Sequence, residues 1–136
     1  MKKSVFQFRN PRLSKLEFVV NPSFVASDSG LVEFNTEYKV GQQKIDSESA
    51  IVALQVKIDT TPSKKGPFSI DAQIMATFFW NKAEIADTQI ESLLDQNAPA
   101  LLLSYLRPTI AFVTSQANFP PFTIPFMDFT KKDSEE

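Results

Sequence analysis

A chain of 136 residues is long enough to bury a hydrophobic core without disulfide or metal support. It has no cysteine and no histidine, which removes disulfides, thiol nucleophiles, imidazole general bases, Ser-His-Asp triads and nearly every zinc site. Net charge is −2 and the basic residues are dispersed in short pairs, so the clustered positive face needed to bind nucleic acid is missing.

The opening MKKSVFQFRNPRL starts basic but has no continuous apolar run of the signal-peptide type, and no segment has the length of a membrane span. A cytoplasmic location without direct membrane insertion is the expectation. Ser4 to Pro11 reads as a short extended arm or edge strand that breaks at Asn10-Pro11. From Leu13 to Val20 the pattern alternates, Leu16, Phe18 and Val20 against Lys15, Glu17 and Val19, and predicts strand one. Asn21, Pro22, Ser27, Asp28, Ser29 and Gly30 then supply turn chemistry over a stretch too long for a tight hairpin. Phe24 and Val25 in that loop either tuck onto the core edge or form a crossover above a groove.

Strand two is predicted from Leu31 to Val40, with a turn region at Gly41 to Ser49. Strand three turns Ala50, Val52, Leu54, Val56 and Ile58 inward. After turn residues at Thr60 to Pro67, strand four covers Phe68 to Trp80. Four strands with short connections predict an antiparallel meander with one wet face, which carries Glu17, Glu33, Glu37, Asp59 and Asp71 against Lys15, Lys39 and Lys57. A solvated face is the plain reading of that surface, and a docking face for a basic partner the sharper one.

Thr88-x-x-Glu91 has the form of a capping box for a short helix whose apolar stripe is Ala86, Ile90, Leu93 and Leu94. A second, long helix starts at Asn97 as cap with Pro99 in its first turn. Leu102, Leu106, Ile110, Val113 and Ala117 form one stripe on it, and Leu101, Tyr105 and Phe112 an adjacent one, more apolar surface than one sheet covers. Pro108 interrupts the run and predicts a bend. Beyond the helix, FPPFTIPFMDF must run extended, and its apolar side chains call for burial or a partner. The class is therefore α+β, a four-stranded antiparallel sheet with a short and a long helix on one face. Residues 1–130 form a single domain, and the charged tail 131–136 reads as disordered.

Chemistry would have to rest on carboxylates alone, Asp46 with Glu48, or Glu84 with Asp87, Glu91 and Asp95, all in a turn or on the wet side of a helix. The apolar residues are the informative ones, and they point to binding.

The ordered combination of KSVFQF, RLSKLEF, NPSF, the Phe79-Trp80 strand end, NAPALLLSYLRPTIAFVTSQANFPP and IPFMDF resembles the SecB family of protein-export chaperones, above all its shorter members in Gram-positive bacteria and beside toxin–antitoxin systems. The resemblance implies a holdase that binds unfolded preproteins or other non-native polypeptides without ATP or another cofactor. It implies a homotetramer, a dimer of dimers, with the long helices between two layers of sheet. The physiological partner it implies is either the motor SecA or an antitoxin. Carried over residue by residue, the client groove is Phe24, Val25, Leu101, Tyr105, Phe112, Phe119, Phe122, Ile124, Phe126 and Met127. Glu17, Glu33, Glu37 and Asp71 fall on the face that meets the motor protein. Two departures stand out: the second, C-terminal helix of longer members is not seen after Phe129, and Pro108 takes the place of an ordinary helix former. A dedicated adaptor for one antitoxin, and more remotely a carboxylate enzyme tested by Glu91→Ala, are the alternatives.

Overall fold

Alternating apolar residues in the third and fourth strands bury as their period demands. In the computed structural model, which describes residues 1–25, 32–60 and 66–130, β3 (Ser49–Thr60) turns Ala50, Val52, Leu54, Val56 and Ile58 inward with no exposed surface. β4 (Phe68–Trp80) does the same with Phe68, Ile70, Ala72, Ile74, Ala76, Phe78 and Trp80. These two are the central strands, and β1 (Phe6–Val20) and β2 (Phe34–Asp46) are the edges of a sheet ordered β1-β4-β3-β2.

The α+β class and the antiparallel four-stranded sheet hold, but only β2, β3 and β4 follow one another as a meander. β1 pairs with β4 from Phe6 opposite Trp80 to Val20 opposite Phe68, so the chain after Val20 crosses to the far edge, in Greek-key order. The connection to Phe34 is too long for a hairpin, and its first residue is tied to the two residues that lead into β4. The Asn21 N–H donates to Pro67 O at 2.8 Å and its side-chain amide to Gly66 O at 3.0 Å. Gly66 also needs to be glycine, because a Cβ there would overlap the Thr60 side chain.

Both edge strands are longer than expected. β1 runs through Asn10-Pro11, where the sequence places a break; its register shifts between Arg9 and Arg12 and between Leu13 and Lys15, and Asn10 takes a φ of 55°. A bulge at an edge absorbs a proline, which has no N–H to give the ladder. β2 continues past Gly41 to Asp46, and Ser47 and Glu48 alone form the turn predicted at Gly41 to Ser49. The run from Gly41 to Asp46 is exposed, which a strand at a solvated edge tolerates.

The helical part is continuous. α1 (Asp87–Ser92), a π-helical turn (Leu93–Asn97) and α2 (Ala98–Gln116) follow without a gap. Asn97 is therefore not a cap: it has helical angles and makes no capping hydrogen bond, and the Ala98 N–H reaches back to Leu93 O. A widened turn suits the start of a segment whose Pro99 has no N–H to donate. The capping at the first turn is also displaced from Thr88 and Glu91, and only half of it is made: the Ala86 N–H donates to Gln89 Oε1 at 3.2 Å, and the alanine has no side-chain acceptor to return. Of the stripe predicted for the short helix, Ile90 and Leu94 are buried, Leu93 is half-buried and Ala86 exposed. α2 buries Leu102, Leu103, Leu106, Ile110 and Thr114 and passes through an exposed Pro108 without ending.

The predicted turn residues Ser27 to Gly30, Leu31, residues 61–65 and the charged tail 131–136 lie outside the described residues. Among the described residues, no helix is long and apolar enough to cross a membrane.

Leu106→Ala removes a fully buried side chain from the helix–sheet contact and should lower the unfolding free energy by about 2–5 kcal/mol. Leu13→Ala, at an exposed edge position, should change it by no more than about 0.5 kcal/mol. Denaturant titration of the two variants compares them, and equal losses would contradict this placement of the core.

Candidate functional site

The end of α2 holds the segment that follows it. Thr114 is fully buried although polar, and its hydroxyl donates to the carbonyls of Ile110 and Ala111, each at 3.0 Å, while accepting from the Phe122 N–H at 2.9 Å. The Phe119 N–H donates to Thr114 O at 3.2 Å. Two turns earlier, Arg107 Nε donates to Ile124 O at 2.8 Å, and the same guanidinium lies 4.3 Å from the centre of the Phe126 ring. Three prolines deny the segment a helix, so it lies extended along α2 with helix side chains satisfying its backbone.

Under it lies an aromatic floor supplied by three strands. Phe68 of β4 meets Phe18 of β1 at 5.5 Å, Phe34 of β2 at 5.0 Å and Phe119 at 5.1 Å between ring centres. Phe122 stands edge-on to Phe34 at 5.0 Å and to Phe68 at 6.2 Å. A second group lies nearer the middle of α2, where Phe8 meets Phe78 at 6.0 Å and Tyr105 edge-on at 6.0 Å.

The ten residues assigned to a groove divide by burial. Phe119 and Phe122 are half-buried in the floor just described, and Leu101 is half-buried against the core. Tyr105 is 41% exposed, Phe112 53% and Phe126 84%, and Met127 is exposed beside it. Tyr105 and Phe112, seven residues apart, leave one side of α2 open beside β1, and Phe126 with Met127 leaves the tail open on the Arg107 side. Ile124 differs from the rest in having no exposed surface; it belongs to the core. Phe24 is half-buried with its N–H on Asn21 O, Val25 is exposed, and among the described residues no ring contact joins Phe24 to the floor. Sequence reasoning missed Phe18, Phe34 and Phe68 as the floor, and Thr114 and Arg107 as the clamps. Alternation turns Phe34 and Phe68 inward but does not say which end of the sheet the tail reaches.

On the opposite face, Glu17, Asp71, Lys57 and Glu37 form one row across all four strands, since Glu17 pairs with Asp71, Asp71 with Lys57, and Lys57 with Glu37. Glu33 stands just before the first paired residue of β2. Asp71 accepts from Lys15 Nζ and from Gln55 Nε2, both at 2.9 Å. Partial burial opposes its charge, but the Gln55 and Lys15 hydrogen bonds and the charge of Lys57 outweigh it and hold the carboxyl below the usual range. The row is thus partly neutralised at its centre and acidic at its two ends.

The other carboxylates have structural partners. Asp46 Oδ1 accepts from Glu48 N–H at 2.8 Å and Ser49 Oγ at 2.9 Å, closing the β2–β3 turn. Asp95 accepts from Gln42 Nε2 at 2.6 Å, and Glu91 lies 3.4 Å from Lys44 Nζ, tying the first helical turns to β2. Glu84 and Asp87 are exposed.

Comparison with known proteins agrees with this geometry. The model of the SecB family, described as preprotein translocase subunit SecB, matches residues 15–132. The protein-export protein SecB of Anaplasma phagocytophilum (strain HZ) is 34% identical over 80 residues, which is 58% of this chain and 51% of that protein, so the chain spans about half the length of this relative. An uncharacterized protein of Methanocaldococcus jannaschii, MJ0357, is 21% identical over 126 residues, covering 90% of this chain and 79% of that one. Among solved structures, the Mycobacterium tuberculosis Rv1957 SecB-like chaperone, in complex with a ChAD peptide from the Rv1956 HigA1 antitoxin, superposes with a TM-score of 0.72 at 14% identity over 90% of each chain, a likeness of fold.

Asp71→Asn tests the outer row through pH. A carboxyl whose folded pKa is depressed contributes stability above its unfolded value, near pH 4, and loses it as pH falls through the folded value. The variant should be less stable than the parent at pH 7 and show a smaller loss on acidification to pH 3, read from denaturant midpoints at both pH values.

Proposed function

The chain belongs to the SecB family, and from that premise we propose that it is an ATP-independent holdase that binds non-native polypeptides on the apolar surface of α2 and the segment after it. The observation that carries this reading is the exposure of Tyr105, Phe112, Phe126 and Met127 beside a half-buried aromatic floor. Exposed aromatic residues on both flanks of one helix favour a partner, and ring faces that tolerate many side chains suit unfolded polypeptides. Residues 1–130 act in this reading as one SecB-like domain. Phe24 and Val25 extend the surface from the crossover, and Leu101 and Phe119 with Phe122 line its deeper part.

The same reading assigns part of Tyr105 and Phe112 to subunit packing in a homotetramer built as a dimer of dimers, since α2 has one apolar side on its own sheet and another left open. Glu17, Glu33, Glu37 and Asp71 serve to dock a basic partner such as the motor SecA, with clients being preproteins in the cytoplasm. A second reading keeps the surface and replaces many clients by one: an antitoxin-stabilising chaperone. It is favoured by the antitoxin peptide bound to the Mycobacterium tuberculosis SecB-like neighbour.

Purified protein should suppress aggregation of a chemically denatured client without nucleotide, and light scattering should give a tetramer. Phe126→Asp should keep the fold, because the ring is 84% exposed, and weaken client binding about tenfold. Phe122→Asp should instead unfold the protein, because its ring is packed between Phe34 and Phe68. A folded Phe126→Asp variant with unchanged client affinity would remove this residue from the site, and failure of the parent to suppress aggregation at stoichiometric amounts would sink the holdase reading.

A further inference from the structure

The segment after α2 is held unevenly. Its first half is fixed: Phe119 and Phe122 are hydrogen-bonded to Thr114, Ile124 to Arg107, and Ile124 has no exposed surface. In its second half the helix reaches the tail through the Arg107 guanidinium over the Phe126 ring, and that ring stands 84% exposed. The segment then returns to the sheet at Phe129, half-buried and edge-on to Tyr38 of β2 at 6.4 Å between ring centres.

Tyr38 is the unusual residue there. Its hydroxyl oxygen is buried and has no hydrogen-bond partner among the described residues. Burial also raises its pKa, so the group stays a neutral O–H donor with nothing to donate to. A closed tail that strands a hydroxyl is stabilised less than its ring contacts imply, because a buried unpaired donor opposes burial. Phe129 supplies an aromatic side chain to this position but no acceptor. An extended polypeptide lying beside β2 would supply both, since it carries a carbonyl at every residue and side chains that alternate in direction.

Resting on the holdase reading above, we propose that the end of the segment, at Phe129, is a displaceable strap over the β2 end of the client site. A client segment with an aromatic residue takes the place of Phe129, its backbone carbonyl accepting from the Tyr38 hydroxyl. Phe119 to Met127 remain seated and keep their part in the client surface. The strap is then a resident stand-in for the client, and it lowers apparent affinity by the fraction of molecules in which it is closed.

The test uses the full chain and two labelled unstructured peptides, one with a central Phe and a counterpart with Ala there, read by fluorescence anisotropy. Phe129→Ala should bind the Phe peptide about three- to tenfold more tightly than the parent, with no gain for the Ala peptide. Tyr38→Phe should bind the Phe peptide about fivefold more weakly, while its thermal midpoint without peptide stays level or rises. A purely structural tyrosine would lose stability and binding together. Suppression of client aggregation by the parent, with no tightening in folded Phe129→Ala, overturns the strap alone. So does a Tyr38→Phe variant with a lowered midpoint or unchanged binding. No binding in the parent and both variants overturns the holdase reading and the strap with it, whereas binding that emerges only in Phe129→Ala supports the strap.

Discussion

α2 buries Leu102, Leu106 and Ile110 completely on β3 and β4, and still presents Tyr105 and Phe112 to the outside. A helix with apolar residues around more than half its girth cannot be satisfied by one sheet. The sheet below it has no further surface to offer, because its inward positions are already filled from Ala50 to Ile58 and from Phe68 to Trp80. The remaining features of the molecule follow from where the excess goes. Part is covered by the tail that Thr114 and Arg107 draw back along the helix, and part is left for other chains.

The clamps explain how a segment with three prolines can lie in a defined place without secondary structure. Thr114 has no solvent to bond with, so its hydroxyl serves two carbonyls of its own helix and one N–H of the tail. Arg107 reaches outward, binds one carbonyl and spreads its plane over the next aromatic ring. Between them they fix which residues of the tail face inward: Ile124 goes into the core while Phe126, two positions on, stays in the open. A binding surface held this way is fixed at its root by the side chains of the helix.

Much of this was legible in the residue pattern. The central strands were, because both neighbours and one face are protein and the alternation is under full selection by burial. The edges were not. Asn10-Pro11 reads as a stop and Gly41 to Ser49 as a loop, yet an edge strand needs ladder bonds on one side only, so a bulge absorbs the proline and polar residues carry β2 onward. The order of strands turned on whether Asn21 would fold back in a hairpin or tie itself to Gly66 and Pro67, and that depends on a partner 45 positions away. The surplus of apolar side chains after Asn97 was visible in the sequence, because such residues have to go somewhere. Their division into core, floor and open surface depends on hydrogen bonds to the backbone, which side-chain periodicity does not encode.

The π-helical turn between α1 and α2 carries a geometric consequence. Ile90, Leu94, Ala98, Leu102, Leu106, Ile110 and Thr114 are all buried and recur every fourth residue. In a regular α-helix a four-residue step overshoots the turn by about 40°, so such a row winds steadily around the cylinder and would leave a flat support after a few steps. One extra residue taken up in the wider turn at Leu93–Asn97 removes part of that drift between the second and third members of the row. The wider turn therefore brings Ile90 and Leu94 nearer to the side that Leu102 and Leu106 bury than an unbroken α-helix would, and the later drift carries the row round to Thr114, where it meets the tail.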